Sequence, residues 1–137
     1  KYRVPIRNQD ISVKEGEKEM FINFSNHPSK NWSKEQTEQA QQYGKILDIP
    51  FPNVPPTYTK SQISTMAKKC VGDILEKNPK CVLCQGEFSL AYTVINLLKE
   101  RDIKVVTACS ERNVTEIITD GKYSKQVVFE FVGFREY

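Results

Sequence analysis

The chain has 137 residues, of which 39% are hydrophobic and 27% charged, with a formal net charge of +3. These values are typical of one globular domain, and they exclude a disordered chain, a second independent core and a basic arm that coats long nucleic acid. No segment reaches the roughly 20 consecutive apolar residues of a membrane helix, so no membrane partner is expected. Without a signal-peptide pattern, and with four cysteines in apolar or helical segments, the chain is expected to be cytoplasmic with reduced thiols.

In chain order, residues 1–19 are polar and weakly patterned, and we expect a leader, a linker or the remnant of a fusion there, followed by one domain over residues 20–137. Short apolar segments predict four strands, and segments with apolar residues at helical spacing predict three helices between them. The strands are expected at residues 20–24, 45–49, 81–84 and 103–108, and the helices at 33–43, 61–77 and 88–100.

The C-terminal segment has a different pattern. Residues 114–118 and 126–134 alternate between apolar and polar types, and Asp120-Gly121 between them is a strong hairpin turn. Strands that alternate with helices of this length favour a parallel sheet with right-handed crossovers. The sequence therefore predicts an α/β fold: a Rossmann-like, mainly parallel open sheet flanked by helices, with a C-terminal β-hairpin that extends or covers one edge.

Three predicted loops after strands carry hydrogen-bonding side chains. They are Ser25-Asn26-His27 after the first strand, Gln85-Gly86-Glu87-Phe88 after the third, and Thr107 to Arg112 after the fourth. Ligands of open α/β sheets bind outside the carboxyl ends of the strands. We therefore expect the three loops to meet in one binding surface.

Each loop has a functional and a structural interpretation. His27, the one histidine of the chain, suits phosphate binding or proton transfer, or else hydrogen bonds to loop carbonyls. Gly86 and the helix N-terminus behind it suit an anion, whereas Glu87 equally suits interaction with the helix dipole. Arg112 offers a planar fork to phosphate or carboxylate, or else forms a salt bridge with Glu111 or across the strands.

The residue types exclude several chemistries. Cys81 and Cys84 lie three apart in a strand and are expected to point to opposite faces, so no metal or cofactor site is predicted. A single histidine without an elbow-type serine makes no serine triad, and no glycine pattern matches a dinucleotide site or a P-loop. Trp32 is suited to stacking a base, but we expect it to pack the first helix onto the sheet.

Four segments resemble a known family. Phe24-Ser25-Asn26-His27 with Ser33-Lys34-Glu35-Gln36 resembles the opening of small CRISPR-associated proteins of type III systems. Val82-Leu83-Cys84-Gln85-Gly86-Glu87-Phe88 with Ala91-Tyr92 resembles their central strand, loop and helix, residues 105–112 resemble their alanine-threonine-threonine-arginine-like stretch, and residues 128–137 resemble their shared ending. Together these segments resemble the stand-alone ring nucleases, which are related in architecture to CARF (CRISPR-associated Rossmann fold) domains.

The resemblance implies a homodimer that binds cyclic oligoadenylate across its two-fold axis, with cyclic tetra-adenylate as the expected ring. It further implies metal-independent cleavage of the ring, which switches off antiviral signalling, with His27, Asn26 and Arg112 as catalytic residues. The expected ligand-binding residues are Ser25, Gln85, Gly86, Glu87, Phe88, Thr107 and Ser110. Two alternatives stay open: a CARF-like sensor that holds the ring without cutting it, possibly cut from a larger effector, and a nucleotide-binding α/β domain outside defence.

Overall fold

A computed structural model describes residues 18–137, so almost all of the predicted leader lies outside the described residues. The described residues form five strands and three α-helices, with a short 3-10 helix (Ser29–Asn31) before the first α-helix. In chain order these are β1 (Met20–Ser25), α1 (Lys34–Gln41), β2 (Lys45–Pro50), α2 (Lys60–Leu75), β3 (Pro79–Cys84), α3 (Phe88–Glu100), β4 (Lys104–Thr119) and β5 (Lys122–Glu136).

The five strands form one sheet in the order β2-β1-β3-β4-β5. β1 is parallel to both β2 and β3, β3 is parallel to β4, and β4 is antiparallel to β5. The predicted α/β fold, with a mainly parallel sheet and a C-terminal hairpin that extends one edge, is therefore confirmed. The chain leaves β1 toward β2 on one side and returns to β3 on the other, so the switch point of the sheet lies between β1 and β3.

Helices cover both faces of the sheet. On one face, β1, β3 and β4 pack against α2 and α3 in the larger core cluster, which includes Phe24, Cys84 and Val105. On the other face, the smaller cluster joins Phe21 and Cys81 to the region of α1. Cys81 and Cys84 therefore lie on opposite faces, as predicted. Burial on both faces explains why these strands are apolar almost throughout.

Side-chain caps fix where the helices begin. The Ser33 hydroxyl accepts a hydrogen bond of 3.1 Å from the backbone N–H of Gln36, which confirms the predicted start of α1. Thr59 and Gln62 form a reciprocal capping box at the start of α2. The bounds of α3 are the predicted ones.

The predicted loop from Thr107 to Arg112 is wrong, because β4 continues through it as far as Thr119. β3 pairs with β4 only as far as Val106, whereas β5 pairs with β4 along nearly its whole length. Antiparallel pairing with β5 satisfies the backbone hydrogen bonds of this polar segment. A register shift between Cys109 and Ser110 separates the sheet from the outer hairpin, residues 110–131, which we call the β-arm.

Candidate functional site

A buried asparagine holds the loop that follows β1. The Nδ2 atom of Asn23, which is 1% exposed, donates 3.0 Å hydrogen bonds to the carbonyl oxygen of His27 and to Oδ1 of Asp48. Its Oδ1 accepts a 2.6 Å bond from the hydroxyl of Ser25, and that hydroxyl accepts from the backbone N–H of His27 at 3.2 Å. Because a buried amide left unpaired is costly, this network fixes the loop in one conformation.

The same loop is held from its outer side. The backbone N–H of Ser29 donates to Oδ2 of Asp48 at 3.0 Å, and the indole N–H of Trp32 donates to the carbonyl of His27 at 3.1 Å. The Trp32 ring packs edge-on against Phe21, with 6.1 Å between the ring centroids. Trp32 is thus a core residue, as expected. Only the backbone of His27 takes part in this hydrogen-bond network, and the residue is exposed.

The loop that follows β3 bridges neighbouring strands. The side-chain oxygen of Gln85 accepts a 2.6 Å hydrogen bond from the backbone N–H of Ala108, and the backbone N–H of Gln85 donates to the carbonyl of Phe24 at 3.2 Å. β3 ends at Cys84, and the hydrogen bonds of Gln85 link β1 and β4 just beyond that end. The side chain therefore has a structural role at the carboxyl end of the sheet.

The absence of a side chain at Gly86 is explained by a neighbouring ring. A Cβ atom at this position would lie 2.5 Å from ring carbons of Phe51. The Phe51 side chain is buried and packs against Phe24 with ring centroids 4.8 Å apart, so it has little room to move. The Phe51 ring thus gives a packing reason for glycine at this position.

Glu87 occupies the N-terminus of α3 with its own carboxylate. Its Oε1 accepts a 2.8 Å hydrogen bond from the backbone N–H of Leu90, and the hydroxyl of Ser89 also donates to the carboxylate. The bond from Leu90 lowers the pKa of Glu87, with a further contribution from Ser89. Glu87 therefore interacts with the N-terminus of α3, which is the structural role that the sequence left open. Its carboxylate occupies the position in which an anion bound at this helix end would lie.

Glu87 is expected to make stability depend on pH in the acid range. Its folded-state pKa is lowered, so its contribution is complete above its ordinary pKa of 4.5 and is lost as pH falls through the lower folded-state value. Glu87→Gln should therefore flatten this part of a stability-against-pH curve measured by urea unfolding. A curve that Glu87→Gln leaves unchanged would contradict the capping role.

The largest concave feature near the carboxyl ends of the strands lies beside α3. This α3 cleft has a volume of about 720 Å³. Two aromatic side chains, one helical turn apart on α3, line the cleft and are largely exposed to solvent: Phe88 is 91% and Tyr92 71% exposed. The cleft is lined by Gln85, Gly86, Phe88, Ala91, Tyr92, Ile95, Asn96, Lys99, Thr107 and Tyr137.

Tyr137 forms one wall of the cleft. Its hydroxyl donates to the carbonyl of Cys84 at 2.8 Å, and its backbone N–H donates to the carbonyl of Val105 at 3.0 Å. Burial raises the pKa of Tyr137, and a hydrogen bond with the side chain of Thr107 opposes that rise. The phenol is therefore held neutral and fixed in place, as a wall of the cleft and a hydrogen-bonding group within it.

The predicted site residues are divided among three places. Gln85, Gly86, Phe88 and Thr107 line the α3 cleft, with Glu87 beside it. Ser25 and Asn26 line a separate cavity of about 120 Å³ next to Asp48. Ser110 and Arg112 lie on the β-arm, where Arg112 pairs with Phe129. The sequence reasoning did not assign Tyr92, Lys99 or Tyr137 to the site, although an aromatic pair four residues apart on α3 was a readable signal.

Within residues 18–137, no group of three or more histidine, cysteine, aspartate or glutamate side chains is arranged to hold a metal ion. No helix in the same part of the chain is long and apolar enough to cross a membrane.

Burial raises the pKa of Cys81 and of Cys84 to about 12, so both thiols stay protonated at neutral pH.

The fold and the cleft define an α/β protein with a mixed five-stranded sheet and a candidate ligand cleft beside the helix that follows its central strand. The chain belongs to the family described as the Uncharacterized protein MJ1673 family, whose model matches residues 19–135. No curated protein and no solved structure matches the chain significantly.

Proposed function

We propose that this protein binds an adenine oligonucleotide in the α3 cleft, and that the ligand is cyclic oligoadenylate. The exposed pair Phe88 and Tyr92 beside a cleft of about 720 Å³ carries the proposal. Aromatic side chains left in water on the rim of a cleft are suited to stack nucleobases, and each stacked base contributes about 1–3 kcal/mol. Lys99, on the same wall, supplies a positive charge for a phosphate.

The size of the cleft supports a nucleotide ligand. Its volume of about 720 Å³ lies within the range of roughly 300–1,000 Å³ that small-molecule sites occupy. One cleft has room for part of a cyclic tetra-adenylate ring. Because that ring is itself nearly two-fold symmetric, an isologous homodimer would present the same cleft to each half. The CARF-like, Rossmann-like ancestry implied by the sequence resemblance belongs to this proposal.

The proposed activity is metal-independent cleavage of the ring, which would switch off type III CRISPR signalling in the cytoplasm. Such cleavage needs a ribose 2′-hydroxyl placed in line with its phosphate, and Gln85, Thr107 and Tyr137 are the polar groups that the cleft offers for positioning. A sensor that holds the ring intact is the second candidate. One observation favours it: His27, Asn26 and Arg112 do not line the cleft.

Incubation with cyclic tetra-adenylate in excess EDTA, with products identified by mass spectrometry, separates these functions. Linear products support the nuclease, and tight binding with an intact ring supports the sensor. If the protein neither binds nor cleaves cyclic tri-, tetra- or hexa-adenylate, the proposal is wrong. If His27 takes part in cleavage, His27→Ala should lower turnover more than affinity, and unchanged turnover would remove His27 from the mechanism.

Phe88→Ala and Tyr92→Ala are each expected to weaken binding of the ring about tenfold, because each removes one stacking surface worth about 1–3 kcal/mol. Both side chains are largely exposed, so the free energy of unfolding should change by less than about 0.5 kcal/mol. Calorimetric titration measures the affinity. Tyr58→Ala, an exposed aromatic in the segment before α2, is the matched control and should bind as the wild type does. Equal losses in all three variants would argue against stacking in the cleft.

A further inference from the structure

The β-arm has one apolar and one polar face. Residues paired directly across an antiparallel ladder point to the same side. One side, the apolar arm face, carries the pairs Ser110–Phe131, Arg112–Phe129, Val114–Val127, Glu116–Lys125 and Ile118–Tyr123. The other side carries the pairs Glu111–Glu130, Asn113–Val128, Thr115–Gln126, Ile117–Ser124 and Thr119–Lys122. This pattern is typical of a two-stranded ribbon that packs against another layer with one face and leaves the other face in solvent.

Nothing within residues 18–137 covers the apolar arm face. Ile118 is 75%, Phe129 67% and Tyr123 58% exposed, and Val114 and Val127 are also exposed. A two-stranded hairpin is at best marginally stable alone in water, and a third layer is what usually stabilises it. The core clusters reach only the base of the arm, where Phe131 contacts Phe134 with ring centroids 5.0 Å apart. The outer part of the face is therefore suited to a partner.

We propose that the apolar arm face is covered by the same face of a second copy of this chain. The charges on the face argue for this partner. Arg112 lies two residues before Val114 and Glu116 two residues after it, on the same side of β4. A two-fold axis that runs across the strands at the Val114–Val127 pair lays each β4 antiparallel over the other. Arg112 then faces the partner's Glu116, and the contact occurs twice by symmetry.

Two further pairs match in this arrangement, whereas Ile118 faces the hydroxyl side chain of the partner's Ser110. Phe129 faces the partner's Lys125, whose alkyl chain and ammonium group suit an aromatic ring. Phe131 faces the partner's Tyr123. Within the described chain Glu116 already accepts a 2.5 Å hydrogen bond from the hydroxyl of Tyr123, whereas Arg112 has no ion pair among residues 18–137. The second copy thus supplies the carboxylate that Arg112 lacks and apolar surface for the exposed side chains.

The apolar arm face lies on the side of β4 that carries Val106 and packs toward α1, whereas Thr107 of the α3 cleft lies on the other side. The inference therefore goes beyond the proposed function, because this contact is separate from any contact between copies at the cleft, and it stands without a ligand. It assigns Arg112 to the contact between copies, at a position four residues beyond Ala108 and about 13 Å further along the strand. An arginine used in this way is a determinant of assembly.

The test measures self-association of the full chain by sedimentation equilibrium, with Val114→Lys as the disruptive variant and Val128→Lys as its matched control. Val114 is 46% and Val128 38% exposed on the same ribbon, but they lie on opposite faces. Wild type and Val128→Lys are expected to be dimers. Val114→Lys places two ammonium groups at the two-fold axis and should raise the dimer dissociation constant more than about tenfold.

A second pair of variants tests the charge arrangement. Arg112→Glu faces the partner's Glu116 with a like charge and should weaken the dimer, whereas Glu111→Arg, on the opposite face, should leave it intact. Circular dichroism of each variant checks that the sheet is folded. A monomeric wild type at about 100 μM, where specific dimers are well populated, would overturn the proposal. A dimer that Val114→Lys and Val128→Lys weaken equally, or that neither weakens, would also overturn it.

Discussion

Asn23→Ala is expected to lower the free energy of unfolding by about 3 kcal/mol, the upper part of the range for a change that strands buried polar groups. The substitution removes the acceptor of the Ser25 hydroxyl and the donor to both His27 and Asp48. Asn23 and Ser25 are both buried, so water cannot easily replace the lost amide. Urea unfolding of the variant and the wild type measures the difference.

Asn26→Ala is the matched control for Asn23→Ala. It removes the same type of side chain from the loop that Asn23 holds, three residues away from Asn23, but Asn26 is exposed. Its expected effect is within about 0.5 kcal/mol, as for most surface changes. If the two variants lose equal stability, the buried network is not what holds the loop. Hydrogen exchange of the His27 amide provides a local readout and should quicken only in Asn23→Ala.

Gly86→Ala is expected to cost about 2 kcal/mol, because one methyl group must enter a position that the Phe51 ring already fills. The ring has no free space to move into, since it is buried against Phe24. The loop between β3 and α3 would have to shift instead, and with it the wall of the α3 cleft. Affinity for the proposed ligand should therefore fall together with the free energy of unfolding.

Gly72→Ala provides a control of opposite sign. Gly72 lies inside α2, and a Cβ atom there would meet nothing within 4 Å. Alanine favours a helix interior over glycine by about 1 kcal/mol, so this variant should be more stable than the wild type. The same substitution thus changes stability in opposite directions at two positions. A loss of stability in both variants would show that a general intolerance of the fold, and not the Phe51 ring, explains Gly86.

Local signals in the sequence were sufficient for most of the elements. The cap at Ser33 and the apolar spacing of α3 predicted helices that the structure contains, α3 with the same bounds. Asp120-Gly121 predicted the hairpin turn, and both residues have the positive φ that such a turn requires. These features depend on neighbours within a few residues, which is why the sequence reveals them.

The continuity of β4 could not be predicted in this way. Residues 110–113 are polar, and polar residues between apolar segments ordinarily indicate a loop. They form a strand because β5 pairs with them, and that pairing depends on residues 128–131, which lie 15 to 21 positions further along the chain. Register across two strands is a long-range property, and alternation in one strand does not reveal it.

The division of the candidate site has the same origin. The carboxyl ends of β1 and β3 are neighbours, as predicted for a parallel sheet, but the β-arm carries Ser110 and Arg112 away from them. The cleft lies instead between α3 and the segments that hold Thr107 and Tyr137, and two exposed aromatic residues of α3 line it. The apolar spacing of a helix identifies the residues that face the core, but it gives no role to the residues on the outward face. Tyr92 is on that outward face and was therefore not predicted as part of the site.

The position of Trp32 gives the protein an optical reporter of its own. It is the one tryptophan of the chain, 8% exposed, and its indole N–H bonds the carbonyl of His27. Its emission spectrum should therefore shift to longer wavelength when the loop after β1 opens, before or together with global unfolding. Because the α3 cleft does not include Trp32, a ligand that changes this emission would reveal a structural link between the cleft and the switch point of the sheet.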